Sequence, residues 1–470
     1  MDKLIHHLKI EPYPYQCEGI RFGLDKQRLL IGDEPGLGKT LQSIGIVDTA
    51  GAYPCLVICP SSLKINWQRE FEKFTDKKAL VLDNASRTAW PYFLQMGMFH
   101  VAIVNYESLR KYFVWDIQGG SRGGFRLKDV VFNDAIKVFR SVIIDESHRV
   151  KDPSAQQTIF TRGIVDGKQW RILLSGTPVV NRAEDLVSQL SIMGRLKEFG
   201  GRGKFLADYG ENDNLDELSR RLYSSCMIRR EKSKVLTQLP DKTRTDLYVD
   251  ISNREEYSLA ANDLAEYLRQ YTECTDRDIR RKMRMEALVK FMTLRSLAAK
   301  GKVQQAMDFV RVFLASGKPL ILFCSLHEIV DQFCKEFQDA VTVTGRDNAA
   351  AKQQAVDAFQ SGEAKLIVCS IKAAGVGLTL TAASDVAFVE FPWTAADCTQ
   401  CEDRAHRIGQ KDNVTCYYLI GQHTIDPTLY RIIKKKQSIA NQIMASDDEI
   451  PTDEMYFNEL KDAFLNDYDK

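Results

Sequence analysis

The sequence predicts an α/β protein built from two parallel-sheet domains in tandem, joined by helical linker elements. Two series of short apolar runs, each run followed by a turn and a helical stretch, indicate strands that alternate with helices. A region without this alternation separates the two series. At 470 residues the chain is also too long for one ordinary hydrophobic core. Together these observations favour two domains in which helices cover both faces of a parallel sheet.

The first series lies in the amino-terminal half and predicts five buried strands. Their apolar runs are Arg28–Ile31, Cys55–Cys59, Ala102–Val104, Ser141–Ile144 and Trp170–Leu174. The alternation stops after Leu186, and residues 188–250 look helical and irregular. In sheets of this kind ligands bind in the loops that follow the strand ends, so those loops are the candidate site.

A helical stretch, Asn253–Gly301, precedes the second series and is rich in Glu, Lys, Arg, Leu and Met. The second series predicts the strands Pro319–Cys324, Ala340–Val343, Ala364–Cys369, Asp385–Phe391 and Val414–Ile420. From Ser446 onwards nine acidic residues stand against two lysines, which predicts a mobile tail or a loosely docked helix. The predicted boundaries are 1–240 for the first domain, 241–300 for the linker, 301–445 for the second domain and 446–470 for the tail.

The composition is that of an ordinary globular chain. Hydrophobic residues make up 44% and charged residues 27%, which excludes a mostly disordered chain. No apolar run is long enough to span a membrane, and the amino terminus lacks a secretory core, so we expect an intracellular protein without membrane contact. The net charge of +1 gives no global sign of nucleic-acid binding. Cys398 and Cys401 form a C-x-x-C, but a structural zinc needs a second pair, so we expect no zinc.

A glycine-rich segment, GDEPGLGKT from Gly32 to Thr40, follows the first predicted strand and leads into a helical stretch. The order strand, glycine-rich loop, helix forms a cradle for phosphates. Lys39 would neutralise phosphate oxygens, and the Thr40 hydroxyl would reach Mg²⁺. Asp33 occupies the position where the usual pattern has its first glycine. The alternative is a turn that happens to contain Gly-Lys-Thr.

Two adjacent carboxylates end the fourth predicted strand, in the segment SVIIDESH. Asp145 would hold Mg²⁺, an ion that binds few carboxylates and keeps much of its water. Glu146 could orient and deprotonate an attacking water. Alone such a pair is often a solvated turn, but after a phosphate loop it predicts a nucleoside triphosphatase. His148 is a candidate coupling residue or a structural one.

Further segments occur in the order and spacing of a known family. They are ICPSSLKINWQREF, VNYESL, LLSGTP and MIRREKSKVLTQLPDK in the first half, and SIKAAGVGLTLT, FPWTAADCTQ and EDRAHRIGQ in the second. With them the chain resembles the SWI/SNF-type (sucrose-nonfermenting) ATPases of helicase superfamily two, which translocate on double-stranded DNA. The likeness runs from residue 12 to about residue 440. In that family the loop is typically D-E-x-G-L-G-K-T, which accounts for Asp33, although Pro35 stands where methionine is usual.

The resemblance implies two RecA-like domains that bind ATP and Mg²⁺. The cofactor-binding residues it implies are Gln16, Asp33, Glu34, Gly36, Leu37, Gly38, Lys39, Thr40 and Asp145. Of these, Gln16 would read the adenine edge, because a glutamine amide offers one donor and one acceptor. The catalytic set is Lys39, Glu146, Arg404 and Arg407. The two arginines, three apart on a helix, would face the same side and act as arginine fingers on the γ-phosphate.

The resemblance also implies contacts to the DNA backbone from loops of both domains, without a base-reading module. The candidates are Lys64, Asn105, Tyr106, Ser325, Ser370, Lys372 and Trp393. A packed core or hinge role for Trp393 is equally compatible with the sequence. Gly375 and Gly377 would allow close backbone approach. Ser175 and Thr177, in LLSGTP, would couple hydrolysis to motion.

The resulting hypothesis is a monomeric, ATP-dependent motor that translocates on double-stranded DNA and remodels DNA or protein–DNA complexes. One alternative is a motor of another branch, an RNA- or single-strand-dependent helicase or the motor part of a restriction enzyme; SGTP and HRIGQ favour the DNA branch. The other alternative is a non-catalytic nucleic-acid-binding scaffold, which the presence of all four catalytic candidates disfavours. We expect a compact motor that is cytoplasmic in a prokaryote or phage and nuclear in a eukaryote.

Overall fold

Two parallel sheets organise the chain, one in residues 1–238 and the other in residues 239–470. The computed structural model describes residues 8–118, 125–176, 183–210, 214–236, 240–374, 378–390, 392, 395–443 and 453–469. Each sheet is covered by helices, so the prediction of two tandem α/β domains is confirmed.

The first unit is built on a seven-stranded parallel sheet. The strands of this unit are β1 Arg28–Ile31, β2 Cys55–Cys59, β3 Ala79–Val81, β4 Val101–Asn105, β5 Val114–Ile117, β6 Val130–Phe132, β7 Ser141–Asp145, β8 Trp170–Leu174 and β9 Met227–Ile228. The sheet has the order β3-β4-β2-β7-β8-β1-β9, while β5 and β6 form a separate antiparallel pair. Every residue of β2 and β4 is buried, as expected for strands that are covered on both faces.

Helices connect these strands and cover the sheet. They are α1 Pro14–Lys26, α2 Lys39–Thr49, α3 Lys64–Phe74, α4 Trp90–Gln95, α5 Leu109–Phe113, α6 Gln156–Val165, α7 Asp185–Met193, α8 Gly201–Tyr209, α9 Leu215–Ser225 and α10 Lys232–Val235. The core between helices and strands includes large side chains with almost no exposed surface, among them Trp67, Trp90 and Phe113.

The strands β7, β8 and β1 are neighbours, and their carboxyl ends lie side by side. Ile31 pairs with Leu174, and Leu174 pairs with Asp145. Because the three strands are parallel and in step, the loops that follow them begin at one edge of the sheet. The sheet order therefore brings together the phosphate loop, the Asp-Glu pair and Ser175.

The second unit has a six-stranded parallel sheet in the order β10-β15-β14-β11-β13-β12. These strands are β10 Lys242–Val249, β11 Leu320–Cys324, β12 Val341–Val343, β13 Leu366–Ser370, β14 Asp385–Phe388 and β15 Val414–Gly421. The helices are α11 Arg254–Glu273, α12 Arg277–Ala315, α13 His327–Glu336, α14 Ala349–Ser361, α15 Ile371–Ala374, α16 Ala395–Glu402, α17 Asp426–Ile443 and α18 Asp453–Tyr468.

Most of the stretch expected as a linker, residues 241–300, lies within the structure of the second unit. β10 pairs with β15 over all eight of its residues. The long helices α11 and α12 bury Leu264, Leu268 and Phe291 in the same core as the strands. All eight residues of β10 are half-buried or exposed, and its sequence KTRTDLYV lacks the apolar run of the central strands. For this reason the sequence pattern did not predict a strand there.

The acidic carboxyl-terminal stretch includes a docked helix, α18. Its side chains Phe457, Leu460 and Phe464 are buried in the core of the second unit. They recur every three to four residues, which places them on one face of the helix. Of the two predicted outcomes for this stretch, the described residues 453–469 show the helix.

Candidate functional site

The phosphate loop begins directly after β1 and ends at the first residue of α2. Gly36 and Gly38 have φ angles of 90° and 73°, a left-handed conformation that glycine adopts without steric cost. Gly38 is also the residue before α2, so the first amides of the helix are not capped by a side chain. A helix N-terminus reached through glycines is a site for anions such as phosphate. Thr40 is the second residue of this helix.

The Lys39 ammonium lies against the inner side of the loop. It donates to the carbonyl oxygens of Asp33 at 2.6 Å and of Glu34 at 3.3 Å. Gly176, just after β8, approaches closely, since a Cβ there would lie 3.0 Å from the Pro35 ring and 3.8 Å from Lys39 Nζ. The two loops therefore pack closely at the glycine of SGTP, where a larger residue would press on the Pro35 ring.

Asp33 has an internal role in this structure. Its carboxylate is fully buried and accepts from Arg230 Nε at 3.1 Å and Arg230 Nη2 at 2.6 Å. Gln42 Nε2 donates to the same carboxylate at 2.9 Å. Glu34 likewise accepts the backbone N–H of Lys232 at 2.8 Å. Both acidic side chains were expected to bind the cofactor; here they hold the loop against the segment that contains Arg230.

Gln16 lies beside the loop, as the adenine assignment requires, but its amide is engaged inside the protein. The side-chain oxygen accepts from the Tyr13 N–H at 2.9 Å, and Nε2 donates to the Leu37 carbonyl at 3.2 Å. A Cβ on Gly38 would lie 2.4 Å from Gln16 Nε2. An adenine edge would have to replace these bonds, and the role of Gln16 in reading it stays a prediction.

Asp145 is the last residue of β7, and both of its carboxylate oxygens are hydrogen-bonded. Oδ2 accepts from the Trp67 indole N–H at 2.9 Å, and Oδ1 accepts from the Glu146 N–H at 2.9 Å. Burial, and after it the adjacent Glu146 carboxylate, raises the pKa of Asp145 to about 7. A divalent cation would relieve both effects, so the donor set fits Mg²⁺.

Glu146 connects the Asp-Glu pair to the loop after β8. Its carboxylate lies 3.5 Å from His148 Nδ1, and the same nitrogen lies 3.2 Å from Ser175 Oγ. Ser175 is fully buried. The chain of contacts from Glu146 through His148 to Ser175 supports a coupling role for His148. Thr177 lies outside the described residues.

The predicted DNA contacts of the first unit differ in exposure. Lys64 begins α3 and is half-buried. Asn105 is buried and donates to Glu107 at 2.8 Å. Tyr106 is 1% exposed, and its hydroxyl donates to the Asp145 carbonyl at 2.6 Å. Its side chain therefore faces the interior and supports the Asp-Glu pair, so the expected DNA contact from this side chain does not fit the structure.

Arg404 and Arg407 do not lie together on a helix, because α16 ends at Glu402 and turns follow it. Short-range bonds, from Arg404 N to the Cys401 carbonyl and from Ala405 N to the Glu402 carbonyl, tighten the chain there. Both guanidinium groups nevertheless donate to the Leu378 carbonyl, Arg404 at 3.4 Å and Arg407 at 2.8 Å. The helical spacing argument was wrong, but the two side chains do converge.

The predicted DNA contacts of the second unit lie at one edge of its sheet. Ser325 follows β11 and Ser370 ends β13, and these strands are neighbours. Ser325 and Lys372 are exposed, whereas Ser370 is buried. The Glu390 carboxylate accepts the N–H groups of Ser325 and Leu326, which shapes the turn after β11. Trp393, Gly375 and Gly377, which were predicted to contact or approach the DNA, lie outside the described residues.

The cysteine pair predicted not to bind zinc lies in and beside the core. Cys398 and Cys401 are both buried in α16, and burial raises the pKa of the Cys398 thiol to about 12. Within the described ranges, no three His, Cys, Asp or Glu side chains are grouped to hold a metal ion. Among the described helices, none is long and apolar enough to cross a membrane.

Sequence reasoning missed a buried ionic cluster around Glu402, next to the two arginines. Arg244 donates to Glu402 through two nitrogens, at 2.5 and 2.7 Å. Lys242 Nζ lies 2.9 Å from Glu402 and 3.2 Å from Asp403. The Tyr418 hydroxyl donates to Glu402 at 2.8 Å. Two acidic residues directly before DRAHRIGQ's arginines were the available signal, but nothing local indicates their partners.

A phosphate loop and an Asp-Glu pair at neighbouring strand ends of a parallel sheet define the nucleotide site of a P-loop type protein. The chain belongs to the SNF2-related family. The SNF2-related domain matches residues 15–303, more than half of the chain, and the helicase conserved C-terminal domain matches residues 301–409. The resemblance stated from the sequence motifs is therefore confirmed.

Several curated proteins are similar over nearly the whole chain. A SWI/SNF-related matrix-associated actin-dependent regulator of chromatin subfamily A-like protein 1 homolog from Caenorhabditis elegans is 29% identical, covering 97% of this chain and 66% of its own length. The human DNA annealing helicase and endonuclease ZRANB3 is 29% identical, covering 94% and 41%. An uncharacterized ATP-dependent helicase from Mycoplasma genitalium is 28% identical, covering 92% and 42%. The chain thus spans between two fifths and two thirds of the length of these relatives.

A solved structure, the Sulfolobus solfataricus SWI2/SNF2 ATPase core in complex with double-stranded DNA, has 22% sequence identity to this chain. The match covers 98% of each chain with a TM-score of 0.43.

Proposed function

We propose that this protein hydrolyses ATP to ADP and phosphate and uses the reaction to translocate on double-stranded DNA, remodelling DNA or protein–DNA complexes. The observation that carries the proposal is the arrangement at one sheet edge, where Lys39 in the phosphate loop lies beside the loop of Ser175. Ser175 in turn contacts His148, which contacts Glu146. Phosphate-binding and water-activating groups are thereby held on three adjacent strands.

The predicted catalytic and metal-binding residues of the first unit each have a role in this proposal. Lys39 and the first amides of α2 bind the phosphates, and Glu146 orients and deprotonates the attacking water. Thr40 and Asp145 would hold Mg²⁺, which supplies charge neutralisation at the phosphate oxygens when bound. Trp67 and the Glu146 N–H keep the Asp145 carboxylate in one orientation.

Arg404 and Arg407 are assigned to the charge that develops on the transferred phosphoryl group. Their convergence on the Leu378 carbonyl supports a common role. The assignment requires the second unit to approach the nucleotide during the catalytic cycle. DNA would favour that state if DNA binds it more tightly than the other states of the protein.

Double-stranded DNA is the partner we propose, contacted through its phosphates. The support is membership of the SNF2-related family, together with relatives whose names refer to action on DNA or chromatin. Of the predicted DNA contacts that the structure describes, Lys64, Ser325 and Lys372 are half-buried or exposed and so remain available for such contacts. Ser370 is buried, which leaves little of its surface for such a contact.

The test is a side-by-side measurement of ATPase rates with duplex DNA, single-stranded DNA, forked DNA and RNA. We expect duplex DNA of any sequence to stimulate hydrolysis and the stimulation to fall steeply with salt, because backbone contacts release counterions. The Glu146→Gln variant supplies the background rate. Stronger stimulation by RNA or by single strands would favour the rival helicase branch, and no hydrolysis above background would favour the non-catalytic scaffold.

A further inference from the structure

The boundary between the two units falls at residues 238–239, and basic residues on either side of it are held by ion pairs within their own unit. Arg230 and Lys242 belong to MIRREKSKVLTQLPDK, a signature to which the proposed chemistry gives no role, and Arg244 lies two residues beyond it. Arg230 lies on the side of the first unit, and Lys242 and Arg244 lie on the side of the second. Each of these cations pairs with an acidic residue that is buried beside the proposed catalytic machinery.

In the first unit the anchor is the phosphate loop itself. Arg230 forms a two-nitrogen contact to Asp33 and also donates from Nη2 to Gln42 at 2.6 Å. Its Nη1 donates to the Tyr15 carbonyl, and its guanidinium stacks 5.3 Å from the Tyr15 ring centre. The backbone of the segment before Arg230 also contacts the start of the loop, since Gly32 N donates to the Ile228 carbonyl at 2.7 Å. Arg230 therefore fixes the loop, the helix behind it and the residue before Gln16.

In the second unit the anchor is the end of α16. Glu402 is fully buried, forms ion pairs with Arg244 and Lys242, and accepts a hydrogen bond from the Tyr418 hydroxyl. Asp403 forms an ion pair with Lys242 as well. Two residues before Lys242, the Pro240 carbonyl accepts from His406 Nε2 at 2.8 Å. The first described residues of the second unit thus contact Glu402 and Asp403, before Arg404, and His406, between Arg404 and Arg407.

Buried ions of this kind are weak evidence for stability alone. Removing a charged group from water costs several kcal/mol, and apolar replacements of a buried pair are often as stable or more stable. What such a pair supplies is a defined geometry, most of all where an arginine binds a carboxylate through two nitrogens. Both anchors have that geometry, and both lie next to residues assigned to catalysis.

We propose that the basic residues on either side of the unit boundary are positioning residues, with Arg230 holding the phosphate loop within the first unit, and Lys242 and Arg244 holding the arginine-bearing turn after α16 within the second. The inference rests on the proposed function for the roles of Lys39, Arg404 and Arg407. Arg230, Lys242 and Arg244 are positioning residues, because they act through Asp33, Glu402 and Asp403. The positioning residues of the two units should have different kinetic signatures.

The experiment uses the full chain and the variants Arg230→Lys and Arg244→Lys, which keep the charge but lose the two-nitrogen contact. Three quantities are measured: the dissociation constant of ADP without DNA, kcat with saturating duplex DNA, and Tm. We expect Arg230→Lys to weaken ADP binding at least about tenfold, because charged hydrogen bonds contribute on this scale. We expect Arg244→Lys to leave ADP binding unchanged and to lower kcat at least about tenfold.

Two further variants keep the test decisive. Lys234→Met changes an exposed lysine in the same segment, paired only weakly with Glu231 at 3.2 Å in the contacts described, and should behave as wild type. Tyr418→Phe is the substitute variant in case Arg244→Lys does not fold. It removes one hydrogen bond to Glu402 without removing a charge, so it should keep the fold and lower kcat by a smaller factor than Arg244→Lys.

The proposal is overturned if the lysine variants keep wild-type ADP binding and kcat, or if both lose Tm, binding and kcat together without the split between the two units. A wild-type protein that duplex DNA does not stimulate would refute the proposed function instead. In that case the effect of Arg230→Lys on ADP binding still tests whether Arg230 positions the phosphate loop.

Discussion

Glu146 has a φ angle of 52°, a left-handed backbone conformation that few non-glycine residues adopt. Such conformations cost on the order of 1–3 kcal/mol and persist where the surroundings enforce them, often at functional sites. Here the enforcing contacts are the bond from its N–H to Asp145 and the approach of His148. In this conformation the Glu146 carboxylate lies near His148, which in turn contacts Ser175 in the loop after β8.

Replacing Glu146 by Gln should separate binding from chemistry. The amide keeps the shape but is no base, so we expect nucleotide affinity to be kept and the hydrolysis rate to fall on the order of 10²–10⁴-fold. Lys39→Ala should instead weaken nucleotide binding. Both are measured by nucleotide titration and steady-state ATPase assays. Glu217→Gln, on the surface of the same unit, is the matched control, and a wild-type rate in Glu146→Gln would rule out the assigned base.

Glu402 should make the stability of the protein depend on pH. Burial alone raises the pKa of Glu402, but Lys242 and then Arg244 lower it more, so the folded-state pKa lies below the usual value of 4.5. Because the folded pKa is depressed, the stabilisation is present above the unfolded-state pKa and is lost as pH falls through the folded-state pKa. Denaturant unfolding at several pH values should therefore show a steeper acid loss for wild type than for Glu402→Gln.

Apart from Asp403, which shares Lys242 with Glu402, the other carboxyl groups should contribute about equally to the two curves, so the difference between the curves reports on this ionic cluster. At neutral pH we expect Glu402→Gln to be less stable by about 3 kcal/mol, the cost of leaving buried charges without their partner. Parallel stability curves for the two proteins would show that the ionic cluster does not have the depressed carboxyl described above.

At the scale of elements, α18 shows how an acidic stretch becomes part of a core. Phe457 packs edge-on against Tyr271, with ring centres 5.2 Å apart, and Phe464 packs edge-on against Phe291 at 5.6 Å. Among the acidic side chains of the helix that the structure describes, Asp462 is exposed and Asp467 pairs with Arg431. The acidic net charge of the stretch therefore does not prevent the apolar face of the helix from packing into the core of the second unit.

Phe457→Ala should destabilise the second unit. Removing a buried phenylalanine side chain typically costs about 3–5 kcal/mol, because both the burial and the packing around it are lost. Thermal unfolding followed by calorimetry is the measurement. Asn466→Ala, an exposed position on the same helix, should leave the transition unchanged. An unchanged transition for Phe457→Ala would mean that α18 is not an integral part of the unit.

At the scale of the whole molecule, the proposed catalytic groups are divided between the two units: Lys39, Asp145 and Glu146 in one, Arg404 and Arg407 in the other. Neither unit contains the full set. Under the proposed function, DNA would raise the rate by favouring the state in which all the groups act on one nucleotide.

Arg407→Ala should therefore keep most of the affinity for ATP and for duplex DNA while losing DNA-stimulated hydrolysis. An arginine finger contributes on the order of 10³–10⁵-fold in related chemistry. Rates with and without saturating duplex DNA, together with binding titrations, measure the effect. Arg346→Ala, which breaks an exposed pair with Asp331, is the control. Full DNA stimulation in Arg407→Ala would remove the second unit from the chemical step.

Local pattern was enough to determine the two parallel sheets, the phosphate loop and the position of the Asp-Glu pair. Apolar runs of strand length alternating with helices report burial directly, and glycines at fixed spacing report a backbone conformation that other residues avoid. The family motifs, which are short local segments, were sufficient to indicate the SNF2-related family. These properties depend on residues close together in the sequence, which is why the sequence alone determined them.

Only the tertiary structure decided which side chains meet. The partner of Asp33 is Arg230, 197 positions away; that of Glu402 is Arg244, 158 positions away; and Asp145 receives Trp67 from 78 positions away. The same holds for Tyr106, which turns inward to Asp145, and for β10, which joins the second sheet. Such pairings depend on strand order, register and helix docking, and these are set by the packing of the whole unit and not by any local pattern.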